Sequence, residues 1–223
     1  MKWNFKRDIF ALSVLVIFLI ISWFFYGILP DKIPSHFDVN GFPDDYSAKS
    51  TVIILGIGAS VLLYFALTFL PMIDPFWKMI EKKYNLFLIF RDLVLGFVIF
   101  EFILTLISAK DGLFRDDLFG IGFGLLFVLL GNYLPKLPRN FFFGIRSPWT
   151  LASEVVWIKT HRMGGMFFVA GGILIIILTL LGVKLFITMI AVIVPLSLYT
   201  AVVYPLMLYK KLQKEGKLKT PEL

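Results

Sequence analysis

The sequence predicts an all-α polytopic integral membrane protein with six transmembrane helices and both termini in the cytoplasm. Three observations lead there. Of 223 residues, 59% are hydrophobic and only 17% charged, whereas a soluble domain is roughly half apolar and a quarter charged. The apolar residues fall into six blocks close to the length of about 20 that a bilayer core requires. Lysine and arginine are divided unevenly between the connections, and that bias sets orientation.

The expected spans are Ile9–Leu29, Thr51–Ile73, Leu86–Ile107, Leu118–Leu134, Gly164–Gly182 and Leu185–Tyr209. The first has a basic front of Lys2, Lys6 and Arg7. Its apolar run is nevertheless too long for a signal peptide, and Trp23-Phe24-Phe25-Tyr26-Gly27 offers no small-x-small cleavage site. It is read as a retained span. With the N-terminus inside, the inner connections carry sixteen Lys and Arg residues. The outer ones carry five: Lys32, Lys49, Lys110, Arg115 and Lys184. The net charge of +7 is therefore topogenic, and no direct nucleic-acid partner is expected. The lipid bilayer of the plasma membrane is the expected surrounding.

Two modules are expected. Residues 1–83 form a helical pair joined by an outer loop, 30–50; residues 84–223 hold four spans around an inner segment, 135–163. Gly56-x-x-x-Ser60 and Gly120-x-x-x-Gly124 have the spacing that lets membrane helices approach closely. Pro195 should kink the sixth span or be compensated locally. In the outer loop, Asn40-Gly41 between Phe37/Val39 and Phe42 signals a tight turn, because both tolerate positive φ. His36, Asp38, Asn40, Asp44 and Asp45 gather there, but without the ligand spacing of a calcium loop. No metal centre and no cofactor is expected. Asp31, Asp38, Asp44 and Asp45 outnumber Lys32 and Lys49, so the loop is net acidic.

The inner segment is the most individual stretch. Ser147 before Pro148 reads as an N-cap with proline at the first helical position. A helix over Leu151–Met163 would place Glu154, Trp157 and His161 on one face, with Arg162 one step round. Together with Arg146 and Trp149 these residues suit an interfacial helix, a lipid headgroup or a docking surface for a protein partner.

The stretches Gly131-Asn132-Tyr133-Leu134-Pro135-Lys136, Gly144-Ile145-Arg146-Ser147-Pro148-Trp149-Thr150-Leu151 and Trp157-x-Lys159-Thr160-His161-Arg162-x-Gly164-Gly165 resemble the signature of the SdpI family. The outer stretch Ile33-Pro34-x-His36-Phe37-x-x-Asn40-Gly41-x-x-Asp44 resembles the small membrane domain of unknown function that often precedes it. The resemblance implies immunity to a secreted, membrane-active peptide toxin outside. It also implies signalling through a regulatory protein held at the cytoplasmic face.

Arg91, Asp92 and Glu101 interrupt the third span, where charge is costly and defaults to a functional hypothesis. The structural reading has Arg91 reaching headgroups or an acid, and Glu101 bonding a neighbouring helix. The alternative is a polar cavity serving a transporter or channel. An enzyme is disfavoured. His36 and His161 are expected on opposite faces with no second histidine nearby, the Gly-x-Ser-x-Gly elbow of a serine hydrolase is absent, and without cysteine there is no thiol nucleophile. No catalytic residue is assigned.

Overall fold

The computed structural model describes residues 5–38 and 40–218. Lys2 and Val39, named above, and Lys219, one of the sixteen inner cations, lie outside the described residues. Helix α1 spans Phe5–Ile28; strands β1 (Lys32–Phe37) and β2 (Pro43–Ala48) follow, then α2 (Lys49–Phe69). Pro71 tightens the end of α2 into a 3₁₀ turn, Leu70–Ile73, and α3 (Trp77–Ile80) leads to α4 (Tyr84–Asp111). Then come α5 (Asp116–Tyr133), α6 (Pro148–Ala152), α7 (Glu154–Leu180), α8 (Leu185–Leu198) and α9 (Tyr204–Lys214). The protein is an all-α membrane protein.

Among the described residues, five helical stretches are long and apolar enough to cross a membrane: Lys6–Ile28, Lys49–Ile73, Asp116–Lys136, Glu154–Leu180 and Leu185–Lys214. Helix α4, the expected third span, is 28 residues long but carries Arg91, Asp92 and Glu101 and is not among those five.

The expected tight turn caps a small antiparallel hairpin, the one sheet among the described residues. Gly41 has φ +84°, the left-handed region that favours glycine. The register pairs Lys32 with Ala48, Ile33 with Ser47 and Pro34 with Tyr46, and slips on either side of His36. A lone two-stranded ribbon is marginal in water. This one is anchored by Ile33, fully buried among Phe25, Leu29, Ile53 and Leu106.

The helix expected over Leu151–Met163 does run on into the fifth span, as α7, but it is broken at Ser153 and the span's helix begins earlier than Gly164. Ser147 does cap α6: its hydroxyl accepts from the Thr150 N–H, while Thr150 Oγ1 accepts from the Ser147 N–H. Ser153 then ends α6 in an extended conformation, φ −143° and ψ 124°, and its own hydroxyl accepts from Val156 N to start α7. From there the helix runs unbroken to Leu180.

Close packing explains how α7 passes through Gly164-Gly165 without ending. A Cβ on Gly165 would lie 2.7 Å from the Gly131 carbonyl, and one on Gly124 would lie 2.7 Å from the Gly172 carbonyl. Helices α5 and α7 thus meet backbone to backbone at two levels. The small-residue signal at Gly120 and Gly124 was correct but incomplete, since Gly131, Gly165 and Gly172 complete the seam. Gly56 is a different contact, filled by the Phe102 ring.

Pro195 sits inside α8 and is followed by a π turn at Tyr199–Val203, the local compensation expected of a membrane helix proline. Thr200 Oγ1 donates to the Leu196 carbonyl there at 2.8 Å. Helix α4 serves both ends of the molecule. Its Leu95 and Ile99 pack with Ala11, Leu15, Phe18 and Tyr64, whereas its Phe87 and Phe90 join Leu137, Phe143 and Trp157.

Candidate functional site

Three places hold the chemistry-bearing residues. On the face of the termini, the inner segment folds back into the bundle. Trp157 and His161 are fully buried, not displayed. The Trp157 indole N–H donates to the Leu137 carbonyl at 2.9 Å, and its ring stacks on His161 with centroids 3.9 Å apart. His161 Nε2 accepts from the Ile145 N–H at 3.0 Å, so Nδ1 carries the hydrogen and donates to the Trp157 carbonyl at 2.9 Å. The face expected to be open is therefore covered. Glu154, Arg146 and Arg162 are exposed and Trp149 half-buried.

The segment is pinned to the stretch between α2 and α3 by Asp74, which the sequence reading did not single out. Its carboxylate accepts from Phe76 N and from Phe141 N, each at 2.7 Å. Phe76 stacks on Phe141, and the Arg139 guanidinium lies 4.6 Å above the Phe76 ring. A lone Asp between Pro71 and Pro75 was the available signal.

The second place is the charge cluster of α4. Arg91 is fully buried and does not reach headgroups. Its Nη1 bonds Asp8 of α1 and donates to Thr68 Oγ1 of α2 at 3.1 Å. Its Nε donates to Asp92 at 2.8 Å, and Tyr64 lies against the guanidinium with the ring centroid 5.2 Å away. The cluster ties α1, α2 and α4 together. Glu101 stands apart: neither carboxylate oxygen has a hydrogen-bond partner among the described residues, and Oε1 faces Gly122 of α5.

The third place lies on the opposite face. The hairpin tip reaches over the α4–α5 and α7–α8 connections and borders a half-open cavity of about 760 Å³. Phe37, Phe114 and Phe186 supply apolar wall, while Asp38, Asp44 and Asp116 supply acid. Lys184 Nζ crosses the cavity margin to Asn40 Oδ1 at 2.6 Å. Phe37 packs on Phe114 at 4.8 Å, and the Gly41 backbone rests on the same ring.

The acidic residues of the hairpin do not converge as metal ligands. Asp38 Oδ1 accepts from Asn40 N and Phe42 N at 2.8 and 2.9 Å. These bonds, Phe42's first, hold its carboxyl below the usual range. Asp44 contacts His36 Nδ1 at 2.6 Å, and Asp45 accepts from Ser35 and from its neighbour Tyr46. Lys184 and Phe114 completed this site without a local motif to announce them.

Residues 136–208 match the SdpI/YfhL protein family. Residues 13–59 match a domain of unknown function, DUF1648. The immunity protein SdpI of Bacillus subtilis (strain 168) is 27% identical over 207 residues, covering 93% of this chain and 98% of that protein. That similarity runs through both matched stretches. No solved structure matches the chain. The DUF1648 match contains the hairpin, and the SdpI match contains the inner segment with α6, α7 and α8. The cavity beneath the hairpin is thus walled by residues from the DUF1648 match, from the SdpI match and from the α4–α5 connection between them.

Proposed function

We propose that this SdpI-like protein protects the plasma membrane in which it sits against a secreted, membrane-active peptide, and that it recognises the peptide at the cavity beneath the hairpin. In this reading α4 also spans, bringing the spans to six, both termini are cytoplasmic, and the hairpin faces outward. The carrying observation is the cavity itself. It joins an aromatic wall to acidic groups, which suits an amphipathic cationic peptide, and Lys184–Asn40 bridges the two modules at its margin. A peptide entering there competes with that bridge and so shifts the hairpin relative to α8. The exposed Arg146 and Glu154, with half-buried Trp149, are then the surface left for a cytoplasmic regulatory protein, with buried Trp157 and His161 holding them in place.

Expression in a peptide-sensitive bacterium tests the reading. Wild type should raise the inhibitory concentration of the peptide. Replacing Asp44 and Asp116 with asparagine should lower the gain and flatten its salt dependence, since exposed charges are screened beyond roughly 8 Å at physiological ionic strength. Equal protection by the double variant at every salt concentration rejects the acidic site, and no protection by wild type rejects the function.

A further inference from the structure

Two of the motif stretches end at a place the proposed function does not use. A groove of about 600 Å³ opens between α5 and α7 on their outward side. Gly131, Asn132 and Pro135 of the first stretch line it together with Arg162 and Gly165 of the third. The remaining wall is apolar and turned away from the bundle: Ile158, Met166 and Ile173 are 52%, 62% and 47% exposed.

We infer that this groove binds an anionic phospholipid from the leaflet on the face of the termini, with the phosphate on Arg162 and an acyl chain along α7. Arg162 is exposed and makes no hydrogen bond or ion pair among the described residues. It projects from a helix long and apolar enough to span, one turn beyond Ile158. A guanidinium there recognises phosphate by paired, charge-assisted hydrogen bonds. Length selects the occupant. From Arg162 to Ile173 a helix rises about 16 Å, roughly half the 30 Å hydrocarbon core. One leaflet's acyl chain fits that distance, whereas a spanning peptide helix needs twice as much. The glycines of the α5–α7 seam shape the groove, because a Cβ at Gly131 or Gly165 would collide with the facing helix and part the two helices that form it.

Native mass spectrometry of the detergent-purified protein with added phosphatidylglycerol or phosphatidylcholine tests this. Wild type should retain phosphatidylglycerol on the order of tenfold more than phosphatidylcholine. Arg162→Gln should remove the preference, and Arg162→Lys should restore part of it, which separates loss of charge from loss of fold. Ala170→Trp, which fills the groove from its exposed wall, should reduce retention of both lipids. Thermal stabilisation by phosphatidylglycerol, but not by equimolar inorganic phosphate, assigns the anion to lipid. An undiminished preference in Arg162→Gln overturns the proposal. So does equal protection by inorganic phosphate, which would make the site one for a free anion, and so does unchanged retention in Ala170→Trp.

Discussion

The imidazole of His161 occupies the space that a side chain at Gly144 would need. Gly144 has φ +92°, and a Cβ there would collide with His161 Nε2, the atom that accepts from Ile145 N. Gly144→Ala therefore combines a left-handed backbone penalty of about 1–2 kcal/mol with overpacking of about 1–3 kcal/mol. Its thermal midpoint in detergent should fall by several degrees. An unchanged midpoint would mean that the loop relaxes freely.

His161→Ala should destabilise for the complementary reason. It leaves the Ile145 N–H buried without an acceptor, a cost of about 1–3 kcal/mol, and removes a ring stacked on Trp157. Trp157→Phe keeps most of the packing but loses the bond to Leu137, so about 1 kcal/mol is expected. Both variants should lower the yield of folded protein. A His161→Ala variant with wild-type stability and lost function would restore the view of this residue as a direct contact.

Breaking the buried cluster from one side should be worse than removing it. Arg91→Met strands both Asp8 and Asp92 and should cost about 3–5 kcal/mol. Asp8→Asn should cost less, because Arg91 keeps Asp92. Asp8→Leu with Arg91→Met should recover part of the Arg91→Met loss, Asp92 being only half-buried. A double-mutant cycle on chemical unfolding measures the coupling. Additive losses would show that the two residues do not act as a pair.

Much of the fold was legible because membrane helices announce themselves by composition. The unmet expectations share one cause. The sequence shows that Trp157 and His161 recur on one face, but not which face is covered. Aromatic and polar residues at helical spacing read alike whether they meet solvent or a folded-back segment. Here the cover comes from residues 137–145, whose own path depends on Asp74 far away in the chain. Asp8 was similarly silent, since an acid in the first turns of a span resembles an interfacial residue until Arg91 is seen beside it. The hairpin tip was readable because Asn-Gly is a local signal, whereas the Lys184 contact spans 144 residues.

Asp38 should titrate below the ordinary aspartate value of 3.8, because backbone N–H groups, Phe42's first, stabilise its carboxylate. A depressed folded value means that its support of the turn is complete above the unfolded value and is lost as pH falls through the folded one. The turn should hence stay ordered at pH 5 and loosen only under stronger acid. Carboxyl ¹³C shifts of Asp38 against pH report this directly, and a midpoint at or above 3.8 would contradict it.

Orientation can be read by single-cysteine labelling, since the chain has no cysteine of its own. Cysteines at Asp44 and Asp116 should react with an impermeant reagent from outside. Ser147 is buried as a helix cap, so the inner probes belong at Arg146 and Lys214, which should stay unlabelled in intact cells. The opposite pattern would invert the topology.

The π turn at Tyr199–Val203 also sets an angular phase. A π turn holds one residue more than an α turn, and each α-helical residue advances about 100°. Everything after it, including Leu212, buried at 4% exposure, and the lysines of α9, is dialled round by that one extra residue. Deleting Val202 would remove that extra residue. It would also rotate Leu212 off its seat and swing Lys210, Lys211 and Lys214 onto other bearings, with no change in the composition of α9.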